Sequence, residues 1–277
     1  MRICDLHTHS NYSDGTLSPA ELITEAGRAG LSAVALTDHN TVEGLDEFIS
    51  AADGSGIEAV PGAEFSVDYL GTELHLVGLF IAPGHYDTLR ELFRQSNLRK
   101  SESNKLLLSR LSDAGYILDG NVLAEKCKGG SFNRAHVAAE LVARGYVDTV
   151  KTAFNTLLKP GSGFYTPPKR IDVFETVELI ASIGAAPVLA HPLLQLNEEQ
   201  LRAFLPKAIA HGLRAVETDY SLYSEQDSTL MKRLADEYGL LYSGGSDFHG
   251  TNKSDIALGC GKGGLNVPIE YLDALRQ

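Results

Sequence analysis

The chain has 277 residues, 43% of them hydrophobic, which is enough for one full-sized barrel or for a core domain that carries an insertion. Its formal net charge of -12 argues against a broad basic surface for nucleic acid, although a short or single-nucleotide substrate stays compatible with it. No segment approaches the roughly 20 consecutive apolar residues of a membrane span, so we expect no membrane partner.

Three cysteines, Cys4, Cys127 and Cys260, are scattered along the chain and show no CxxC spacing. An odd number of thiols makes a disulfide framework improbable, and buried or spectator thiols are favoured over soft metal ligands. The N-terminal sequence has no apolar signal segment. These features predict a reduced, cytoplasmic compartment.

The first third of the chain alternates short apolar strands with helices. A capping box at Ser18, with Pro19 and Glu21, predicts the start of the first helix, and Gly30 predicts its end. A second helix is expected from about Val42. The predicted strands are, in order, 2–6, 33–37, 58–63 and a hairpin formed by 65–70 and 73–80.

Between residues 85 and 159 the sequence contains four helical segments and no convincing strand. After residue 160 the alternation of helix and strand resumes, with strands expected at 187–190, 215–218 and 240–243. Repeated strand–helix units predict a parallel α/β architecture, either a barrel or a doubly wound sheet. We therefore expect a barrel domain formed by 1–84 and 160–277, interrupted by a helical insert at 85–159.

Histidine and carboxylate side chains occur at or just after the carboxyl ends of the predicted strands. They are His7, His9, His39, Glu64, His191, Asp247 and His249. In a barrel these ends form one face, so residues far apart in sequence converge there. A lone histidine in such a place is usually a structural polar residue, but this many coincidences favour a metal cluster. Imidazole with carboxylate and no thiolate suits Mn²⁺, Fe²⁺ or Zn²⁺, and Glu64 has two oxygens with which to bridge two ions.

Four motifs in order, Asp5–Ser10, Thr37–Asn40, Ala190–Pro192 and Ser246–His249, resemble those of the polymerase and histidinol phosphatase (PHP) family. The resemblance implies a distorted (β/α)7 barrel with two or three divalent ions, Mn²⁺ first among them. It implies one ion held by His7, His9, Glu64 and Asp247, a second by Glu64, His75 and His191, and a third by Asp14, His39 and His249. From the residues alone, Asp14 also fits an ordinary turn, and His75 fits a packed position inside a strand.

A metal cluster of this kind lowers the pKa of a bridging water and stabilises the charge of an in-line displacement at phosphorus. Asp247, His191 and His249 are the candidate catalytic residues. A ligated imidazole is a poor proton shuttle, so the sequence assigns no leaving-group acid.

Substrate selection is expected to come from the helical insert. Arg134, near a predicted helix N-terminus with Asn133 and His136, is suited to bind a phosphate, and Lys159 and Tyr165 lie in a glycine-rich loop. The alternative is that these are ordinary solvated side chains on connecting loops.

A barrel with such an insert is similar to small stand-alone PHP phosphoesterases that act on nucleotides. This implies hydrolysis of 3′,5′-bisphosphonucleotides, or trimming of short RNA from its 5′ end. The alternatives are a sugar or histidinol phosphatase, a non-catalytic metal-binding module and, as an outsider, an amidohydrolase. The sequence does not indicate an oligomeric state.

Overall fold

The computed structural model describes residues 2–126, 132 and 134–277, and in them one nine-stranded sheet is accompanied by ten α-helices. The strands are β1 (Ile3–Asp5), β2 (Ala33–Leu36), β3 (Glu58–Tyr69), β4 (Thr72–Leu79), β5 (Ile171–Asp172), β6 (Ala186–Ala190), β7 (Ala215–Tyr220), β8 (Leu241–Gly245) and β9 (Val267–Pro268). The helices are α1 (Pro19–Arg28), α2 (Leu45–Ala52), α3 (Tyr86–Asp113), α4 (Gly120–Lys126), α5 (Arg134–Ala143), α6 (Val150–Asn155), α7 (Val173–Ser182), α8 (Glu198–Ala210), α9 (Glu225–Tyr238) and α10 (Ile269–Leu275).

The chain divides into two compact units, Met1–Glu91 with Arg170–Gln277, and Leu92–Lys169. Both boundaries fall later than the limits expected from the sequence, 85 and 159. Helix α3 is continuous from Tyr86 to Asp113, so its first turns belong to the larger unit. None of the helices in the described part of the chain is long and apolar enough to cross a membrane.

The larger unit is a nearly closed, distorted barrel of mixed strands. The strands follow the order β8-β7-β6-β4-β3-β2-β1-β9, with β4 antiparallel to both of its neighbours and β9 antiparallel to β1. The backbone N–H of Leu6 donates to the carbonyl oxygen of Gly244, and that of Asp247 donates to the carbonyl oxygen of His7. These bonds join the end of β1 to the end of β8. These bonds close the ring at the carboxyl ends of the parallel strands, as expected for the predicted (β/α)7 type.

Small apolar side chains fill the barrel interior. Strand residues two apart share a face, and on β3 the face that carries Val60 continues through Gly62 to Glu64. On β4 the face of Val77 continues to His75 in the same way. The alternation that builds the apolar core therefore also delivers polar side chains to one end of it.

Strand β3 is longer than the sequence indicated, because it runs without a break through Glu64. The expectation that Glu64 ends a strand is therefore wrong. Only the first part of β3 pairs with β2; the rest forms a hairpin arm with β4. An isolated parallel bridge from His39 to Glu64 places Glu64 level with the carboxyl end of β2, so it still faces the predicted site.

The smaller unit, described by itself, contains most of α3 and all of α4 to α6. Its core contains aliphatic side chains of these helices, among them Leu107, Leu111 and Val137, together with Leu158 after α6 and the ring of Tyr165. Four helical segments were expected in this part of the chain, and the described residues contain four.

Barrel closure requires a glycine at position 245. A Cβ at Gly245 would lie 2.5 Å from both the Cβ and the backbone nitrogen of His7, closer than real carbon atoms approach. We predict that Gly245→Ala lowers the free energy of unfolding by about 1–3 kcal/mol, as overpacking typically does. Chemical denaturation measures this.

Gly27→Ala is the matched control. Gly27 lies inside α1 with no atom within 4 Å of the added Cβ, so this change should stabilise the protein by about 0.5–1 kcal/mol. Equal stability of Gly245→Ala and the unmodified protein would show that β1 and β8 do not approach so closely.

Candidate metal centre

Five imidazole rings surround the carboxylate of Glu64, which is fully buried. Its Oε2 lies 3.4 Å from Nε2 of His7, 3.4 Å from Nε2 of His9 and 2.8 Å from Nδ1 of His39. Its Oε1 lies 2.7 Å from Nδ1 of His75 and 3.1 Å from Nε2 of His191. The two oxygens therefore face two different groups of histidines, as a bridging carboxylate requires.

The first group of donors is completed by Asp247. Its Oδ1 lies 3.1 Å from Nε2 of His9 and 3.8 Å from Nε2 of His7. Ligands placed roughly 2.0–2.2 Å from one ion, at tetrahedral or octahedral angles, are themselves about 3.0–3.6 Å apart. Three of the four distances between these atoms match the edges of such a coordination shell, and that from Asp247 Oδ1 to His7 Nε2 is slightly longer.

The second and third groups of donors lie beside the first. On the β4 side, the antiparallel register pairs His75 with Ala190, which directly precedes His191. His75 and His191 therefore lie side by side next to Glu64. On the other side, Asp14 Oδ1 lies 3.1 Å from Nε2 of His249 and 3.8 Å from Nε2 of His39. The ligand atoms of His9, Asp14, His39 and His249 all lie within 4.8 Å of one another.

The exposure of these side chains gives the centre a closed end and an open end. His7, His9 and Glu64 are completely buried, whereas the side chains of His39, His75 and Asp14 are 19–22% exposed. A small anion can therefore approach from the side of the partly exposed ligands.

Two candidate ligands have unfavourable backbone conformations. His191 has φ 30° and Asp247 has φ 56°, in the left-handed region that residues other than glycine rarely adopt. His191 also precedes Pro192, which disfavours helical angles at the preceding residue. Such strain persists only where the surroundings impose it, and it is concentrated at functional sites.

Hydrogen bonds fix which ring nitrogen is free for a metal. His7 Nδ1 lies 2.7 Å from Oε1 of Glu217, and His249 Nδ1 lies 2.8 Å from the carbonyl oxygen of Asp247. A carboxylate or carbonyl oxygen can only accept, so each Nδ1 donates, and in the neutral ring each Nε2 keeps its lone pair. Both Nε2 atoms point into the centre, which is the arrangement of a metal-binding histidine.

Buried carboxylates outside the centre hold the loops that carry the ligands. Asp5 accepts from the backbone N–H groups of Ser246 and Gly259, both at 2.8 Å, and so fastens the loop after β8. Asp38 accepts from the backbone N–H of Ser10 at 2.7 Å and from the Ser13 hydroxyl at 2.5 Å. Asp5 and Asp38 therefore have a structural role, since they hold the backbone of the ligand-bearing loops.

The centre is strongly coupled in charge. Burial opposes ionisation of Glu64 and Asp247, but the surrounding histidines hold the pKa of both carboxyl groups well below its ordinary value. Burial likewise opposes the charge of His75, and Glu64 nevertheless raises the pKa of His75 to about 10. Without metal ions, therefore, protons on His7 and His75 supply positive charge beside the buried carboxylates.

Many polar atoms in the centre are buried without a well-aligned hydrogen bond. They include Nε2 of His7, both ring nitrogens of His9, Nδ1 of His75, Nδ1 of His191 and Oε2 of Glu64. Most of them lie near oppositely charged groups. Buried donor atoms that lie close together without hydrogen-bond partners suit divalent cations.

Comparison with known proteins identifies the family. The model of the PHP domain matches residues 5–159. The 5′-3′ exoribonuclease of Haemophilus influenzae is 33% identical over 248 residues, covering 88% of this chain and 89% of that protein. This chain belongs to the PHP domain family.

Two further relatives have similar activities. The 3′,5′-nucleoside bisphosphate phosphatase of Chromobacterium violaceum is 32% identical over 253 residues, covering 90% of this chain and 88% of that protein. A solved structure from Bifidobacterium adolescentis, assigned as a metal-dependent phosphoesterase, has a TM-score of 0.82 and 26% identity, covering 99% of this chain and 95% of the other. The protein is a metal-dependent phosphoesterase of the PHP family.

Two functional residues of this PHP barrel were missed in the sequence. Glu217 is 1% exposed and accepts from both His7 and the backbone N–H of His191, and Tyr220 donates its hydroxyl to Asp247 Oδ2 at 2.8 Å. The available signal for Glu217 was an acidic residue directly after the apolar residues Ala215 and Val216 of a predicted strand. Nothing in the sequence distinguished Tyr220 from an ordinary core tyrosine.

The expected substrate residues belong to the smaller unit. Arg134 lies with its guanidinium carbon 4.6 Å from the centre of the Tyr165 ring, and Tyr165 itself is only 6% exposed. Lys159 is exposed and His136 is half-buried on α5. Asn133 lies outside the described residues. A role of these residues in substrate binding stays a prediction, and for Tyr165 the covered ring leaves little room for a stacked base.

Glu217 should increase the affinity for metal ions, although we do not assign it as a metal ligand. Glu217→Ala leaves two buried N–H donors without their acceptor, and loss of such an outer partner costs about 10- to 100-fold in metal affinity. Titration of the metal-free variant with Mn²⁺ measures this, and the unfolding midpoint should fall as well.

Glu178→Ala is the control, because Glu178 is exposed and also accepts from a histidine, His211. It should leave metal affinity unchanged. Wild-type metal affinity in Glu217→Ala would contradict the role assigned to the Glu217–His7 hydrogen bond.

Proposed function

We propose that the protein hydrolyses phosphate monoesters of nucleotides, with two or three divalent ions held at the carboxyl end of the barrel. The first ion would be held by His7, His9, Glu64 and Asp247, the second by Glu64, His75 and His191, and the third by Asp14, His39 and His249. The observation that carries this proposal is the division of histidines between the two oxygens of Glu64. Mn²⁺ is the first choice among the ions, with Fe²⁺ and Zn²⁺ as alternatives.

The bound ions would supply a water of lowered pKa and positive charge opposite the phosphoryl oxygens. The protein side chains fix the positions of these ions. Glu217 orients His7, and Tyr220 holds Oδ2 of Asp247 so that Oδ1 faces the histidines. His191 and His249, proposed as catalytic with Asp247, would act as metal ligands, and one nitrogen of His249 already donates to a carbonyl oxygen.

The substrate class is proposed from the relatives. One is a 5′-3′ exoribonuclease and another a 3′,5′-nucleoside bisphosphate phosphatase, and each is matched over most of its length. The first name describes removal of nucleotides from the 5′ end of RNA, and the second describes removal of a phosphate from a nucleoside 3′,5′-bisphosphate. We infer that this protein acts on 3′,5′-bisphosphonucleotides or on the 5′ end of short RNA, and that it works in the cytoplasm.

A phosphate-release assay with Mn²⁺ tests the reaction and its site together. Asp247→Ala should lose at least one bound ion and more than about 100-fold in turnover, since even outer partners of metal ligands are worth 10- to 100-fold. Bound metal is measured by elemental analysis after dialysis.

Asp255→Ala is the matched control, because Asp255 lies in the same loop region but is exposed and pairs with Lys262. Full activity of Asp247→Ala would contradict the metal site. Equal turnover of a mononucleotide and its 3′,5′-bisphosphate by the unmodified enzyme would contradict the substrate class.

Arg134 tests whether the insert selects the substrate. Arg134→Ala should raise KM for a 3′,5′-bisphosphonucleotide by about 10-fold, the usual cost of a lost charge-assisted hydrogen bond, and leave hydrolysis of a simple aryl phosphate unchanged. Steady-state kinetics on both substrates measure this.

The Arg134→Ala variant also removes the contact with the Tyr165 ring, so its unfolding midpoint must be compared with that of Arg144→Ala. Arg144 lies at the end of α5 and pairs with Glu140. An equal loss on both substrates would favour a general phosphatase, in which the second phosphate is not recognised.

A further inference from the structure

Lys253 places an ammonium group directly against a proposed metal ligand. Its Nζ lies 2.6 Å from Oδ2 of Asp247, while 36% of the Lys253 side chain stays exposed. By contrast Arg170, a largely buried cation elsewhere in the barrel unit, pairs with Glu73, which is not a proposed ligand. Lys253 is therefore a partly accessible positive charge at the edge of the centre.

The short 3₁₀-helix that carries Lys253, Gly250–Lys253, is tied to the loop that carries Asp14. The backbone N–H of Thr251 donates to Oγ1 of Thr16 at 3.0 Å, and Asn252 donates to the carbonyl oxygen of Asp14 at 2.8 Å. Gly250 has φ 64°, and a Cβ there would lie 2.0 Å from Oγ1 of Thr16. The backbone beneath Lys253 is thus fixed between two ligand-bearing loops, while its side chain stays adaptable.

Asp247 does not need Lys253 to satisfy its outer oxygen. Tyr220 donates to the same Oδ2 at 2.8 Å and is itself only 4% exposed. Once an ion shares the charge of Asp247, the attraction between Asp247 and the ammonium weakens, because the net charge on the ligand side is reduced or reversed. The ammonium then has a stronger partner in any dianion that enters the centre.

We propose that Lys253 binds the phosphoryl group of the substrate and of the inorganic phosphate product. A lysine with three rotatable donors on a flexible stem suits a tetrahedral oxyanion, and the side chain of Lys253 is 36% exposed beside Asp247. This inference rests on the proposed metal centre. It does not depend on which alcohol the phosphate is esterified to.

The test uses inorganic phosphate as the probe and the Mn²⁺-loaded full chain. Lys253→Met should weaken phosphate binding by calorimetry by about 10- to 100-fold, the usual value of a hydrogen bond to a charged group. It should raise KM for an aryl phosphate similarly, with bound Mn²⁺ unchanged. Lys253→Arg should restore part of the binding because it keeps the charge.

Lys262→Met is the matched control, because Lys262 is also a partly exposed lysine in an ion pair, with Asp255. It should bind phosphate like the unmodified protein. Unchanged phosphate affinity in Lys253→Met would overturn the inference. Reduced Mn²⁺ in Lys253→Met and in Lys253→Gln would also overturn it, since Lys253 would then act by positioning Asp247.

These outcomes are separable from failure of the proposed function. If Lys253→Met weakens phosphate binding but the unmodified enzyme does not prefer nucleotides, only the proposed substrate class is contradicted. If the unmodified enzyme prefers nucleotides as proposed but Lys253→Met binds phosphate with unaltered affinity, only the role of Lys253 is contradicted.

Discussion

A buried carboxylate must be neutralised, and the surroundings of Glu64 are arranged to do so. Glu64 lies at the end of the barrel interior with no exposed surface, and imidazoles face each of its oxygens. Removing such a charge from water costs several kcal/mol unless opposite charge lies beside it. Protons on the histidines can provide that charge, but divalent cations provide more of it, and the spacing of the ligand atoms suits them better.

The distortion of the barrel serves the same centre. If every strand were parallel, each would offer ligands only near its carboxyl end. Here β3 continues past that level and β4 returns antiparallel, so that His75 comes from the middle of a strand and still meets His191. The strained backbone at His191 and Asp247 is another consequence, since both side chains must turn into a narrow space.

Much of this site could be predicted from the sequence, because ligands in short motifs at strand ends are local patterns. His7, His9, His191 and Asp247 were predicted in this way, and the structure brings their side chains together. The roles of Glu217 and Tyr220 could not be found, because they depend on which strands become neighbours. The predicted end of β3 was wrong for a related reason. An apolar strand gives no local sign that its pairing partner changes at Glu64. The sequence predicted that the insert is helical but not how its side chains pack. The packing of Arg134 on Tyr165 is a tertiary contact, which has no local signal in the sequence.

The central claim is that Glu64 bridges two divalent ions. Anomalous diffraction from crystals grown with Mn²⁺, recorded on both sides of the manganese absorption edge, tests it directly. We expect one manganese peak among His7, His9, Glu64 and Asp247, and a second among Glu64, His75 and His191. One oxygen of Glu64 should lie beside each peak. A single peak bound by both oxygens of Glu64, or no manganese peak near Glu64, would contradict it.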